Sequence, residues 1–469
     1  MYRKEYTETI FRTGSHTSRK SSVKQHEMAA LREMEQMILA AEAVPAGAEA
    51  LERATAHLEQ FLQQVRQKRI LDEKQRAMEA FRQQFENGYT WRNGFLRNVA
   101  RFGDREALIE PESGTVWTYT QLNAEANRFS HALLRAGLQK GDVVMVQLHN
   151  CPEFVFAYLA CHKTGMVFCP VNFRLSAKEI TDCIDNSRPK VFLLEPETQA
   201  EVDMALRRTA HAPQILLTTD ARAAHAYAGF TADCPATEPE LPWELSVYDE
   251  TLRLFTSGTT GRQKSVCLTS INEVLSAHDV MIHFPFSFTD RSMNTTPWFH
   301  RGGLHSGGIT PTLYAGGTVI IQRKFQPEKT LDMVQQYGLT FLIGVPNVLE
   351  LLAEAQQKQP RDLSSLRGIV TMGSPLERAD CIRYQKILTK RIFNGYGTTE
   401  TFWNTFLRPD DLPEMAGSAG RSCVDDDVRV IKVYEDRVAE PDDLAATDGS
   451  EVGEVIIPVS YTHLRAHET

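Results

Sequence analysis

Residues 254–266 read Leu-Phe-Thr-Ser-Gly-Thr-Thr-Gly-Arg-Gln-Lys-Ser-Val. Four hydroxyls (Thr256, Ser257, Thr259, Thr260), two glycines (Gly258, Gly261) and one lysine (Lys264) fall within nine residues. Leu252, Leu254 and Phe255 just before them read as the end of a strand. Glycines let the backbone turn its N–H groups inward with no Cβ in the way. The hydroxyls add donors and the lysine adds a positive charge, so the loop suits the oxygens of a polyphosphate. The bland alternative is a flexible Gly/Thr surface loop. The Walker pattern Gly-x-x-x-x-Gly-Lys-Ser/Thr fails on spacing: counted from Gly258 it needs a glycine where the chain has Gln263.

Further segments carry the reading along the chain. Residues 394–400 are Asn-Gly-Tyr-Gly-Thr-Thr-Glu, residues 371–376 are Thr-Met-Gly-Ser-Pro-Leu, and residues 297–308 are Pro-Trp-Phe-His-Arg-Gly-Gly-Leu-His-Ser-Gly-Gly. Gly344-Val345-Pro346 stands before an apparent helix Asn347–Ala355, and Gly417-Ser418-Ala419-Gly420-Arg421 comes last. Taken singly, each has a bland reading: a turn with an exposed Glu400, common Gly-Ser-Pro loop chemistry, or a structural histidine at His300.

Together, in this order, they resemble the adenylate-forming superfamily, which includes acyl-CoA synthetases, luciferases and peptide-synthetase adenylation domains. The resemblance covers roughly residues 90–458. The family's loop Thr-Ser-Gly-Thr-Thr-Gly-x-Pro-Lys-Gly appears with Gln263 for the proline and Ser265 for the last glycine. Its Tyr-Gly-x-Thr-Glu motif is matched at every fixed position by Tyr396, Gly397, Thr399 and Glu400. Its Gly-Gly-x-Pro-Leu turn has Met372 in place of the first glycine and keeps Gly373, Ser374 and Pro375. The resemblance implies an α/β fold: two helix-covered, parallel-type sheets plus a small β unit. It implies ATP, Mg2+ and coenzyme A as cofactor and cosubstrates. The donors Thr256, Ser257, Gly258, Thr259, Thr260 and Gly261 then hold phosphates. Gly373, Ser374, Pro375, Asn394, Gly395, Tyr396 and Gly397 border adenine. Thr399 meets the α-phosphate, Glu400 holds magnesium, Lys264 supplies charge, and His300 borders the acyl pocket. A carboxylate is the usual hard ligand for magnesium, which otherwise keeps its waters and the substrate phosphates. Residues 297–304 resemble the family's Pro-Leu-Phe-His-x-Gly-Gly-Leu stretch, with His300 as its histidine and Arg301 at the variable position, and His305 has no counterpart in it.

The implied activity is that of an acid–thiol ligase: a fatty or other organic acid becomes an acyl-adenylate and then an acyl-CoA, releasing AMP and pyrophosphate. Alternatives stay open. An amino-acid-adenylating domain usually has Phe-Asp-x-Ser where this chain has Phe299-His300-Arg301-Gly302. A P-loop phosphotransferase would release ADP. A nucleotide-binding fragment with a scaffold role is the third.

The 469 residues carry a net charge of −9 with pI near 5.9, which gives no reason to expect nucleic acid as a partner. No apolar run of about twenty residues indicates a spanning helix. No secretory h-region follows Met1, and the eight cysteines form no Cys-x-x-Cys pair. Reduced thiols of a cytoplasmic protein are expected.

Residues 1–26, basic and rich in Ser and Thr, read as disordered. Residues 27–86 read as a helical hairpin, Glu27–Ala43 and Ala48–Glu86 around a Val44-Pro45-Ala46-Gly47 break, with Leu51, Leu58, Val65 and then Leu71, Met78, Phe85 at heptad spacing. An accessory element is the bland reading and a coiled-coil protein partner the sharper one. From 87 to 458, strand candidates (Val143–Leu148, Met166–Val171, Val191–Leu194, Ile215–Leu217, Thr318–Ile321, Phe341–Ile343) alternate with helices (Tyr119–Ala136, Glu153–Lys163, Ala177–Ile184, Ile271–Met281, Pro327–Tyr337, Leu376–Leu388). Short strands Val428–Val433 and Glu454–Ile457 then suggest a small β unit. Residues 459–469 continue no pattern and read as a non-native tail. The family's ribose-binding Thr-Gly-Asp and late catalytic lysine are not found, and Asp448-Gly449 lacks the motif. A truncated ligase of impaired turnover is therefore expected.

Overall fold

Val143–Gln147 and Val191–Leu194 are apolar runs without alternation, and every position in them is buried. Strands of a parallel sheet covered by helices on both faces have this character. The structure, a computed structural model, describes residues 47–257 and 263–457. The expected basic tail, the helix 27–43 with its break, and the tail 459–469 lie outside the described residues.

The chain divides into two units, Met1–Arg82 and Gln83–Thr469. In the first, a helix Gly47–Phe81 occupies most of the stretch read as the hairpin's long arm, and Ile70, Leu71, Met78 and Phe81 on it are exposed. A π-helical turn, Arg82–Asn87, follows.

The second unit holds the sheets. Its strands are β1 Glu106–Glu110, β2 Thr115–Thr118, β3 Val143–Gln147, β4 Val167–Pro170, β5 Val191–Leu194, β6 Ile215–Thr218, β7 Glu250–Ser257, β8 Gln263–Thr269 and β9 Arg291–Asn294. They continue as β10 Thr318–Ile320, β11 Phe341–Gly344, β12 Gly368–Met372, β13 Ile392–Thr398, β14 Phe402–Leu407, β15 Arg421–Ser422, β16 Arg429–Lys432 and β17 Gly453–Ile456. One sheet has the order β6-β5-β3-β4-β7-β8 and a larger one β15-β14-β13-β12-β11-β9-β10-β1-β2. The small pair β16–β17 is separate. The interior pairings are parallel, while the edges β8, β2 and β14–β15 run antiparallel. The expected parallel-type sheets are present with these antiparallel edges.

Local chemistry sets the crossovers. Thr118 and Gln121 form a reciprocal capping box that starts the helix Tyr119–Arg135, a device worth about 0.5–2 kcal/mol. Thr269 and Asn272 do the same for the helix Ser270–His283, which leaves β8 directly. Trp91, Phe95, Tyr119, Phe129, Phe154, Tyr158, Phe168 and Trp298 belong to one buried core cluster that spans elements of both sheets.

Candidate active site

Apart from Gly417–Arg421, which leads into the antiparallel edge strand β15, the motif segments lie at the carboxyl ends of strands in the parallel part of the sheets, where ligands bind in open α/β sheets. In the larger sheet the register Thr371↔Asn394 and Met372↔Gly395 sets Gly373, Ser374 and Pro375, just past β12, beside Tyr396 and Gly397 on β13. Gly344 pairs with Thr371, so Val345 and Pro346 come next to them. A Cβ on Gly373 would lie 3.7 Å from Val345 Cγ1, and Gly373 itself has a φ of +84°, which only glycine adopts without strain. One strand further, β9 delivers the Thr295–His300 loop: Thr295 N–H donates to the Ile343 carbonyl (2.9 Å).

The carboxyl edge of the smaller sheet meets this loop. Asn150, after β3, accepts from Trp298 N–H at 2.9 Å. Phe173, after β4, packs edge-on against Phe299 with centroids 5.4 Å apart. Arg323, after β10, donates to Glu195, after β5, at 2.7 Å. In the same sheet β7 runs parallel to β4, so Thr256 and Ser257 leave it at this edge. The 254–266 stretch is the tip of a β-hairpin, with Thr256 opposite Lys264 and Ser257 opposite Gln263. A strand follows the loop, which agrees with the failure of the Walker spacing, where a helix would follow. Lys264 is exposed and Thr256 is half-buried. Gly258, Thr259, Thr260 and Gly261 lie outside the described residues.

His300 is exposed and occupies the N-cap position of the short helix Arg301–His305 without a side-chain capping hydrogen bond. Its ring lies 4.1 Å from that of Phe299, and desolvation lowers its pKa, so the neutral imidazole prevails at physiological pH. The next residue, Arg301, fills the variable position of the motif. It is buried, and its Nη1 donates to the Thr399 carbonyl. Its Nη2 reaches Ser276 Oγ at 3.3 Å, and its guanidinium lies 5.2 Å from the centre of the Phe402 ring.

His305, left unassigned from sequence, is structural. It is fully buried, with Nε2 2.8 Å from Glu273 Oε1. Tyr158 donates to the other Glu273 oxygen at 2.6 Å. Burial by itself pushes the Glu273 carboxyl up, but the facing His305 and these hydrogen bonds outweigh it and hold the pKa down to about 2. Removing one partner of such a buried pair costs about 3–5 kcal/mol.

Three features around the Tyr396–Glu400 segment are unusual. Asn394 Oδ1 and Thr371 Oγ1 are buried without a hydrogen-bond partner among the described residues, on register-paired residues of adjacent strands. Such orphaned groups cost free energy unless a ligand satisfies them. Tyr396 keeps 40% of its surface exposed at the head of the strand. Phe402 has a φ of +65°, a left-handed conformation that costs a bulky residue about 1–3 kcal/mol. It is held by stacking on Trp403 (centroids 4.9 Å apart) and by the Arg301 cation. Between Thr398 and Phe402 the chain turns tightly, with Thr401 N–H donating to Thr398 Oγ1 at 3.2 Å. Glu400 sits half-buried in this turn.

Residues 95–458 match the AMP-binding enzyme family over most of the chain. The chain belongs to the AMP-binding enzyme family. Among AMP-binding relatives it is similar to the indoleacetate–CoA ligase of Aromatoleum aromaticum, 31% identical over 337 residues, covering 70% of this chain and 65% of that ligase. The chain thus spans just under two thirds of the length of curated relatives that it matches. Among solved structures it resembles the inhibitor-bound N-terminal domain of FACL13 from Mycobacterium tuberculosis, with a TM-score of 0.68 at 26% identity, covering 75% of this chain and 86% of that one. The anthranilate CoA ligase AuaEII, solved with anthranoyl-AMP, shares the fold with a TM-score of 0.71 at 19% identity, covering 80% of this chain and 69% of that one.

Proposed function

We propose that this chain binds ATP and a carboxylic acid and forms an acyl-adenylate, the first half of an acyl-CoA ligase reaction whose second half passes the acyl group to coenzyme A. The observation that carries the reading is the register Thr371↔Asn394. It aligns two unsatisfied buried oxygens beneath the exposed Tyr396 ring and sets Gly373–Pro375 alongside. Asn394 Oδ1 offers an acceptor to an exocyclic amine, and the Tyr396 ring a stacking face, so an adenine suits this position.

In the step proposed, a carboxylate oxygen of the acid bonds to the α-phosphorus while the bond to the bridging oxygen breaks and pyrophosphate leaves. The thiol sulfur then bonds to the acyl carbonyl carbon, AMP departs, and the thiol proton passes to solvent. The protein needs no nucleophile of its own; it must hold two anions together and offset charge on the phosphoryl oxygens. Lys264 and Thr256 at the hairpin base, and Thr399 in the β13–β14 turn, are the groups proposed for that work. His300, neutral and set beside Phe299, borders the acid. The Glu400 carboxylate, in the turn between Thr398 and Phe402, is the hard oxygen donor that suits Mg2+. No group of three or more metal-binding side chains occurs among the described residues, and magnesium bound with a nucleotide needs only one or two carboxylates. Bound there, the ion would neutralise phosphate charge.

The acid is taken as a plain carboxylate, aryl or aliphatic. The relative at 31% identity is named for indoleacetate, and His300 stands where an amino-acid substrate would require an acid. Residues 87–458 are proposed as the nucleotide-binding region. Residues 27–86 are proposed as an accessory element for a protein partner, supported by the exposed Leu71, Met78 and Phe85. The eight cysteines, all unpaired, support a reducing cytoplasmic setting, and no described helix is long and apolar enough to cross a membrane. ATP–pyrophosphate exchange across a panel of aryl, fatty and amino acids tests the reading. Exchange driven by aryl or fatty acids supports it. Exchange driven by amino acids alone, or ADP as the product, contradicts it.

A further inference from the structure

Arg301 is the one arginine of the acid-side loop, and its surroundings are costly. It is 4% exposed, and its Nε finds no hydrogen-bond partner among the described residues. Burial draws its pKa down to about 10, opposed by the carboxylates of Glu273, Asp279 and Glu400, so it stays a cation at physiological pH. A buried cation that served packing alone would be replaceable by an apolar side chain at little cost or with a gain. Its contacts point to one place. Nη1 donates to the Thr399 carbonyl across a sequence separation of 98 residues. The guanidinium faces the ring of Phe402, the residue with the strained left-handed backbone. Nη2 anchors the other end on Ser276. Both ends of the Thr399–Phe402 turn, with Glu400 between them, are therefore held by one planar group, and that group is covalently next to His300.

We propose that Arg301 is a positioning residue: it fixes the Thr398–Phe402 turn so that the Glu400 carboxylate is presented to a magnesium-bound nucleotide, and it ties that turn to the His300 loop. The proposal rests on the functional reading above. Arginine, unlike lysine, offers a planar fork that can donate and stack at once.

The test is calorimetric titration of ATP into the full chain with and without Mg2+, for wild type, Arg301→Met, Arg301→Lys, Glu400→Gln and the Arg301→Met/Glu400→Gln double variant. Magnesium is expected to tighten ATP binding at least tenfold in wild type. In Arg301→Met that gain falls to under threefold, while the magnesium-free affinity stays within twofold of wild type. Arg301→Lys recovers part of the gain, and the double variant is no worse than Glu400→Gln alone, because both act through one carboxylate. If Arg301→Met does not melt cooperatively, Arg301→Lys, which keeps the charge and loses the planar fork, gives the same reading from its reduced gain. Equal loss with and without magnesium, or a full magnesium gain in either Arg301 variant, overturns the proposal alone. A wild-type chain whose ATP affinity magnesium leaves unchanged overturns the functional reading and the proposal with it.

Discussion

Thr256 and Lys264 face each other across the β7–β8 hairpin, as direct register partners at its tip end. Directly opposed residues of an antiparallel pair project to the same side, so one hydroxyl and one ammonium emerge together at the base of the glycine-containing loop. Lys264 is exposed and packs into no core. Lys264→Ala should therefore leave the melting temperature within about 1 °C, consistent with a surface change within roughly ±0.5 kcal/mol. ATP affinity should weaken about 10-fold, as for loss of one charge-assisted contact of about 1.5 kcal/mol. Thermal melting and nucleotide titration on the same sample read the two effects separately.

Gly397 has no room for a side chain. A Cβ there would meet the Phe402 carbonyl oxygen at 1.5 Å, inside the β13–β14 turn. Gly397→Ala is expected to force the hairpin apart, with a loss of about 2–4 kcal/mol and of nucleotide binding. Gly229, in the helix Tyr227–Thr231, has nothing within 4 Å of the corresponding position. Gly229→Ala should be neutral or stabilising by up to about 1 kcal/mol. Denaturant melts of the two variants give opposite signs if the turn is as tight as the geometry says.

His162 makes the stability of the second unit depend on pH. It is buried between Trp91 and Tyr158, with ring centroids 4.6 and 4.4 Å away. Burial lowers its pKa to about 4, Glu273 opposing and His305 reinforcing. The unfolded chain protonates it near its ordinary 6.5. The folded pKa is thus depressed: its contribution is present above pH 6.5 and lost as pH falls toward 4. The melting temperature of wild type relative to His162→Phe should be constant above that window and drop through it. A difference that does not vary between pH 7 and pH 4 would show that the ring is not kept neutral by its surroundings.

The parts of the fold legible in sequence were those with one dominant pattern. Val143–Gln147, Val191–Leu194 and Phe341–Gly344 are apolar runs, and Pro327–Tyr337 is amphipathic with a proline at its start and Gly338 at its end. The strand Ile392–Thr398 was not legible, because Asn394, Gly395 and Gly397 read as a loop. They are in a strand because neighbours on both sides complete its ladder, with Phe406 packed close over Gly395. The helix Arg301–His305 is hidden by two glycines and a histidine, and Ile309–Ala315 by Pro311 and the flanking Thr310 and Thr312, for the same reason: tertiary packing overrides propensity. At the candidate site, the order of segments along the chain was legible and their adjacency was not. Arg301 and Glu273 were missed because their partners lie 98 and 32 residues away, where no local spacing signals them.

The central claim is that the adenine of ATP lies at the carboxyl ends of β12 and β13. Photolabelling with azido-adenine ATP and Mg2+, followed by peptide mapping, tests it most directly. The account predicts label in the peptides that contain Gly373–Pro375 and Asn394–Gly397, suppressed by excess ATP. ATP-protected label confined to peptides from another surface, with these two unmodified, would contradict it.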